Sequence, residues 1–341
     1  MTKIANLSRI KESLLLETRI CDLPLQIEGT WLASCVSALY AELESKSLVF
    51  KPECYLADEW CAPDNEPVLG MPFFLAHPAL MRLEKKMMLE VEGGTKQWCM
   101  RLLRHETGHA INYAYKLYRR KSWQKVFGKF TQEYADTYRF QPYSKSFVRH
   151  LENYYAQYHP DEDFSETFAV WLTPRSKWLT QYRGWKALAK LEYVDKLMSR
   201  IRQKEPLVKK GTKYWALPGL KIKLKNYYKK KRKSWEEYFP DFHDPNLRRI
   251  FVQRCPESKD LTAASEIIRK YKRTIRDTVS AWTGEKKHII DELLMNMVAR
   301  CKDLELVVED PEAVTVSKIS TYLTTLTMNY IYTGRFQKRK K

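Results

Sequence analysis

Two histidines and a glutamate fall together in the run Arg104-His105-Glu106-Thr107-Gly108-His109. The pattern H-E-x-x-H sets two imidazoles one helical turn apart, because residues i and i+4 share a helix face, so two ring nitrogens can reach one ion. A divalent metal, zinc above all, takes that pair as two of its ligands. Glu106 is then placed beside the open coordination position, where a carboxylate can take the proton of a water molecule. The competing reading is two core histidines on an amphipathic helix.

A catalytic zinc site needs three protein ligands. The extended pattern H-E-x-x-H-x-x-G-x-x-H is not met: Asn112 stands where its glycine belongs and Tyr115 where its third histidine belongs. One downstream cluster offers carboxylates instead, Asp161-Glu162-Asp163-Phe164-Ser165-Glu166. Glu162 and Glu166 are four apart and so share a helix face. One can meet the metal while the other accepts the N–H of a ligating imidazole and fixes its tautomer. Without a metal, the same residues would read as an acidic helix N-terminus set favourably against the dipole.

H-E-x-x-H followed by E-x-x-[AS]-[DE] resembles the gluzincins, the group that includes thermolysin-like and lethal-factor-like peptidases. Glu162-Asp163-Phe164-Ser165-Glu166 fits the second motif at every position. The resemblance implies His105, His109 and Glu162 as ligands of one Zn2+, Glu106 as general base and Glu166 as the carboxylate behind a ligand. It implies Tyr155, seven residues before Glu162, as a donor to the oxyanion, with His159, Tyr158 and Tyr154 as alternatives. From about residue 26 to 198 the chain is similar to a family of bacterial zinc-binding metallopeptidases named for this motif. The similarity is carried by both metal motifs and by Met71-Pro72-Phe73-Phe74 and Leu191-Glu192-Tyr193-Val194-Asp195. That likeness implies a peptide or protein substrate, and an extended segment Leu69–Leu75 that pairs with it.

The elements that would position these residues can be read from periodicity. Apolar spacing predicts a helix over 30–46, extended segments at 48–50, 54–57 and 68–76, and a helix from Pro78 to Glu92. Gly93-Gly94 breaks the chain, and Thr95 is a suitable N-cap for a motif helix running to about Tyr118. Further helices are predicted over 144–158, over Asp161–Leu172 behind Pro160, and over Trp178–Ile201. The expected class is α+β: a zincin-like domain over residues 1–205 with a small mixed sheet, followed by a basic, mostly helical region over 206–341. In that region Lys221–Lys225 alternates like a strand, and 262–303 and 316–332 are helical in pattern.

Composition sets the limits. A chain of 341 residues suggests two compact units, and 44% hydrophobic residues supply a core. No apolar run of about eighteen residues offers a membrane span. Seven cysteines without a C-x-x-C pair argue against a disulfide framework and a cysteine zinc site, so a reducing cytoplasm is expected. Of the net charge of +19, residues 1–200 supply +4 and residues 201–341 supply +15. That excess suggests an anionic partner, nucleic acid or acidic protein, for the C-terminal region. The run Lys229-Lys230-Lys231-Arg232-Lys233, near Trp215, Tyr227, Tyr228 and Trp235, is the candidate nucleic-acid surface. Three functions follow: a zinc peptidase, a nucleic-acid-associated protein with a protease-like domain, and a zinc-binding interaction module that cuts nothing.

Overall fold

The computed structural model describes residues 7, 10–134, 140–141, 143–151, 154–232, 242–255 and 260–333. The chain forms two compact units, one of residues 1–85 and 91–227, the other of residues 86–90 and 228–341. Helix dominates both.

The first unit opens with α1 (Glu12–Glu17) and α2 (Trp31–Ser45). Thr30 begins α2 by accepting the N–H of Leu32 on its hydroxyl, and Leu32, Cys35, Leu39 and Leu43 form the buried stripe that helical spacing demands. Two short strands, β1 (Glu53–Ala57) and β2 (Val68–Pro72), pair in parallel with Tyr55 opposite Gly70. The segment 73–76, expected to continue β2, turns into a 3-10 helix after Pro72. Proline removes the ladder N–H there. Next come α3 (Pro78–Met88) and the motif helix α4 (Lys96–Ala114). Thr95 caps α4 as its position predicts, accepting from the Trp98 N–H at 3.3 Å. The helix stops at Ala114, short of Tyr118, because Lys116 adopts a left-handed conformation and 117–119 tightens into a 3-10 turn.

After α5 (Lys121–Phe127), the stretch expected to be helical over 144–158 is not. Residues 143–151 are turns, bends and irregular backbone, and among the described residues of this stretch only Tyr155–Gln157 makes a 3-10 turn. This segment spends its hydrogen bonds on neighbouring elements: Leu151 N–H on Glu166, Arg149 N–H on the Tyr182 hydroxyl. The carboxylate helix α6 (Pro160–Leu172) follows with Pro160 in its first turn. Every residue of α6 is buried, and it packs antiparallel to α4, with residue 105 beside 166 and 109 beside 162. Gly108 sets how close the two helices come: a Cβ there would lie 2.6 Å from the Ser165 Cα. The helix predicted over 178–201 is broken into α7 (Trp178–Gln181) and α8 (Ala187–Ile201). Trp171 and Asp163 of α6 bond to Asp195 and Lys190 of α8.

Residues 206–227 belong to this first unit. Ala216 bridges to Ala57, and the Tyr55 hydroxyl donates to the Tyr214 carbonyl. The strand expected at 221–225 is reduced to one bridge, Arg19 with Lys223, after which α9 (Leu224–Arg232) begins. Lys223 and Lys225 reach Glu17 instead of lining a strand face.

The second unit gathers α10 (Asp244–Ile250), α11 (Ala264–Thr283), α12 (Lys287–Asp303) and α13 (Glu312–Thr333) around one apolar core. It includes Ile268, Ile275, Leu294, Met297 and Leu323. The helical pattern over 262–303 is interrupted at Gly284, whose φ of 72° ends α11 in the left-handed conformation glycine tolerates. A two-residue antiparallel ladder, β3 (Val252–Gln253) with β4 (Leu306–Val307), adds the only strands of this unit among the described residues. No helix among the described residues is long and apolar enough to cross a membrane.

Candidate metal centre

His105 and His109 lie one turn apart on α4, and Glu162 reaches them from the first turn of α6. The Glu162 Oε2 atom is 3.1 Å from Nε2 of each imidazole, and the two Nε2 atoms are 3.2 Å apart. All three residues are buried.

The tautomers follow from the other side of each ring. His105 Nδ1 is 2.8 Å from Glu166 Oε1, and His109 Nδ1 is 2.8 Å from Asp161 Oδ2. Carboxylates accept, so each Nδ1 donates, and each neutral ring turns an Nε2 lone pair toward Glu162. With both rings neutral, three acceptor atoms would face one another at contact distance, an arrangement that a metal ion or protons on the imidazoles would relieve. Ligands about 2.1 Å from a tetrahedral ion are about 3.4 Å apart, close to the triangle found here. His105, His109 and Glu162 therefore fit as a site that could hold a metal ion.

Protonation directions reflect the same gathering of charge. Burial opposes a charge on His105, but its bonds to Glu162 and Glu166 outweigh that and raise its pKa to about 10. His109 is raised well above its ordinary value against the same burial, by Asp161 and Glu162. Glu162, despite burial, is held far below the usual carboxylate range by the two histidines. Without a metal, protons would fill the gap between these acceptors.

Three residues that the motif alone does not identify brace the cluster. Asp161, beside the motif glutamate, takes the His109 N–H, the Asn112 amide at 2.7 Å and the Tyr113 hydroxyl at 2.5 Å. Asn112 and Tyr113 lie three and four residues beyond His109, on its face of α4, which is the signal that could have identified them. Glu166, the expected partner of a ligand, is itself fixed by the Leu151 N–H at 2.8 Å.

Glu106 is buried beside the cluster and makes no hydrogen bond to a described residue. Burial pushes its pKa up, while the two histidines draw it down. A carboxylate in that condition is available to a water or substrate proton.

Of the expected oxyanion donors, Tyr155 stacks obliquely on His105, with ring centroids 5.6 Å apart. Tyr158 lies 6.0 Å from Tyr155, and Tyr154 stacks on Phe140. His159 does not suit that role. Its Nδ1 accepts the Asp161 N–H as the N-cap of α6, and its Nε2 donates to the Gln132 carbonyl at 2.7 Å, so both nitrogens are committed. Tyr134 takes a place the sequence did not suggest: its hydroxyl lies 3.2 Å from Glu162 Oε1 while its ring stacks on His159 at 3.9 Å. The segment 69–75, expected to pair with a substrate, is a strand only as far as Pro72. All of β2 is buried, with β1 on one edge and Cys61 exchanging both backbone hydrogen bonds with Gly70 on the other.

In the basic run, Lys229, Lys230, Lys231 and Arg232 occupy the last turn of α9, where positive charge complements the helix dipole. Tyr227 and Tyr228 are buried and present no stacking surface. Trp215 is exposed, whereas Lys233 and Trp235 lie outside the described residues.

No family model, no curated protein and no solved structure matches this chain.

Proposed function

We propose that this chain is a zinc-dependent peptidase of the gluzincin type, with His105, His109 and Glu162 holding one ion and Glu106 acting as general base. The observation that carries this reading is the triangle of facing acceptors, 3.1 to 3.2 Å on a side, with a carboxylate behind each imidazole. Two imidazoles and a carboxylate are a donor set that suits zinc and leaves a fourth position open. Bound there, zinc would supply Lewis acidity toward a water molecule and a scissile carbonyl.

The remaining steps belong to the protein. Glu106 takes the proton of the attacking water, and its raised pKa suits it to pass that proton to the departing amine. Asp161 and Glu166 hold the two imidazoles in the tautomer that presents Nε2. The hydroxyls of Tyr155 and Tyr134 are the candidate donors to the oxyanion that develops on the substrate.

Metal analysis of the purified protein, together with hydrolysis of a peptide library, tests the reading. One zinc per chain is expected in the wild type and in Glu106→Gln, and none in His109→Ala. Peptide cleavage by Glu106→Gln should fall by about 10² to 10⁴-fold. Full activity in Glu106→Gln with zinc still bound would remove the proposed base. Zinc binding without cleavage of any peptide would leave a zinc-binding interaction module instead.

A further inference from the structure

Glu162 meets the two imidazoles with a single oxygen. Its Oε2 lies 3.1 Å from Nε2 of each ring, while its Oε1 lies 3.2 Å from the Tyr134 hydroxyl. A carboxylate only accepts, so the phenol donates its one proton to Oε1. A glutamate beside a metal ion can offer one oxygen or both. The second choice crowds the open position that a water molecule or a substrate carbonyl would take. A partner already bonded to Oε1 decides between the two.

The Tyr134 side chain is 46% exposed, yet it is held from several sides. Its ring stacks on His159, with centroids 3.9 Å apart and planes 14° from parallel, and it meets Tyr158 edge-on at 5.3 Å. The His159 ring is fixed at both nitrogens: Nδ1 accepts the Asp161 N–H, and Nε2 donates to the Gln132 carbonyl. Gln132 lies two residues before Tyr134, so one imidazole holds both the backbone and the ring of this segment. Earlier in the same segment, Phe130 stacks on Tyr118 at 4.2 Å. His159 is also the N-cap of α6, the helix whose first turn carries Glu162. Donor and acceptor thus share one support. A hydrogen bond to an ionised, buried carboxylate oxygen is among the stronger kinds, and losing its donor is costly.

We propose that Tyr134 is a positioning residue that keeps Glu162 a one-oxygen ligand and so keeps the fourth coordination position open. The proposal rests on the reading of His105, His109 and Glu162 as a metal site, and not on peptide hydrolysis. It also separates two tyrosines. With its proton on Glu162, Tyr134 has none to give an oxyanion, and that role falls to Tyr155.

Loading the full-length protein with Co2+ in place of zinc tests the proposal, because the visible absorption of Co2+ is intense at four-coordinate sites and weakens as donors are added. The wild type should bind one Co2+ per chain and show the intense band. In Tyr134→Phe the ring can still stack on His159, but Oε1 is released to the ion. The band should weaken about threefold, while Co2+ stoichiometry and melting temperature stay at their wild-type values. Tyr118→Phe removes a hydroxyl of the same aromatic cluster that bonds to Asn65 and to no ligand, and its spectrum should match the wild type. A wild-type spectrum in Tyr134→Phe, with one Co2+ bound, would overturn the proposal and leave the metal site standing. An equal weakening in Tyr118→Phe would also overturn it, by tracing the change to packing of the cluster. Failure of the wild type to bind Co2+ would remove the metal site and the proposal with it.

Discussion

At the scale of single residues, the site depends on what stands behind each ligand as much as on the ligands. The Asp161 carboxyl holds three donors at once, one of them the His109 ring. Asp161→Asn keeps the shape but presents an amide where the ring N–H needs an acceptor. Zinc affinity, measured by competition with a chromogenic chelator, should fall about 10 to 100-fold, and by a similar factor in Glu166→Gln. Unchanged affinity in both variants would mean that the imidazoles are oriented by something else. That His105, His109 and Glu162 come together was legible from spacing and resemblance, because H-E-x-x-H and the helix carrying Glu162 fix their positions in the helix repeat. Tyr134 was not legible. It precedes Glu162 by twenty-eight residues in a stretch with no helical or strand periodicity, and only the folded chain brings its hydroxyl to the carboxylate. His159 was misread for a related reason, since its neighbours Pro160 and Asp161 already mark a helix start at which a capping side chain is spent.

At the scale of elements, the approach of α4 to α6 is what converts two motifs into one site. Gly108 allows that approach, and its neighbour there is backbone, which cannot rotate aside. Gly108→Ala should cost about 1 to 3 kcal/mol in denaturant unfolding and weaken metal binding by separating the histidines from Glu162. A stability equal to the wild type would show that the helices can part without strain. Helix positions were read well where an apolar stripe was regular, as over Trp31–Ser45, and where a cap preceded it, as at Thr95. They were read poorly over 144–158, where aromatic residues at near-helical spacing pack on one another and, through Tyr155, on His105 of α4. The same lesson holds at 221–225: alternation of lysine with apolar residues suggested a strand, yet two of those lysines are held by Glu17.

At the scale of the whole molecule, the second unit carries its own acid sensitivity. His243 and His288 are buried there, and desolvation lowers each to about 4. The His243 ring meets the Tyr322 hydroxyl at 2.7 Å. Both rings are neutral when folded and titrate near 6.5 when unfolded. Between about pH 6.5 and 4 the unfolded chain binds more protons, so the stability these rings contribute is full above 6.5 and is lost as pH falls toward 4. Melting followed by circular dichroism across that range should show a steady fall in the transition temperature, reduced in His243→Gln. A flat profile would mean that the rings reach solvent in the folded protein. The division into two units was suggested by length and by the charge imbalance. Its place along the chain was not, since residues 206–227 pack on β1 through Tyr214 and Ala216 despite their proline- and lysine-rich composition.

The helix Pro160–Leu172 has no side turned toward solvent. Tolerance to substitution in such a helix cannot rise and fall with the 3.6-residue repeat. A saturation scan scored by cellular abundance should trace a clear wave along Trp31–Ser45, whose exposed and buried faces alternate, and a level floor of intolerance along Pro160–Leu172. Sequences drifting apart under selection would accordingly hardly vary within the carboxylate-bearing segment, while the exposed face of Trp31–Ser45 changed freely.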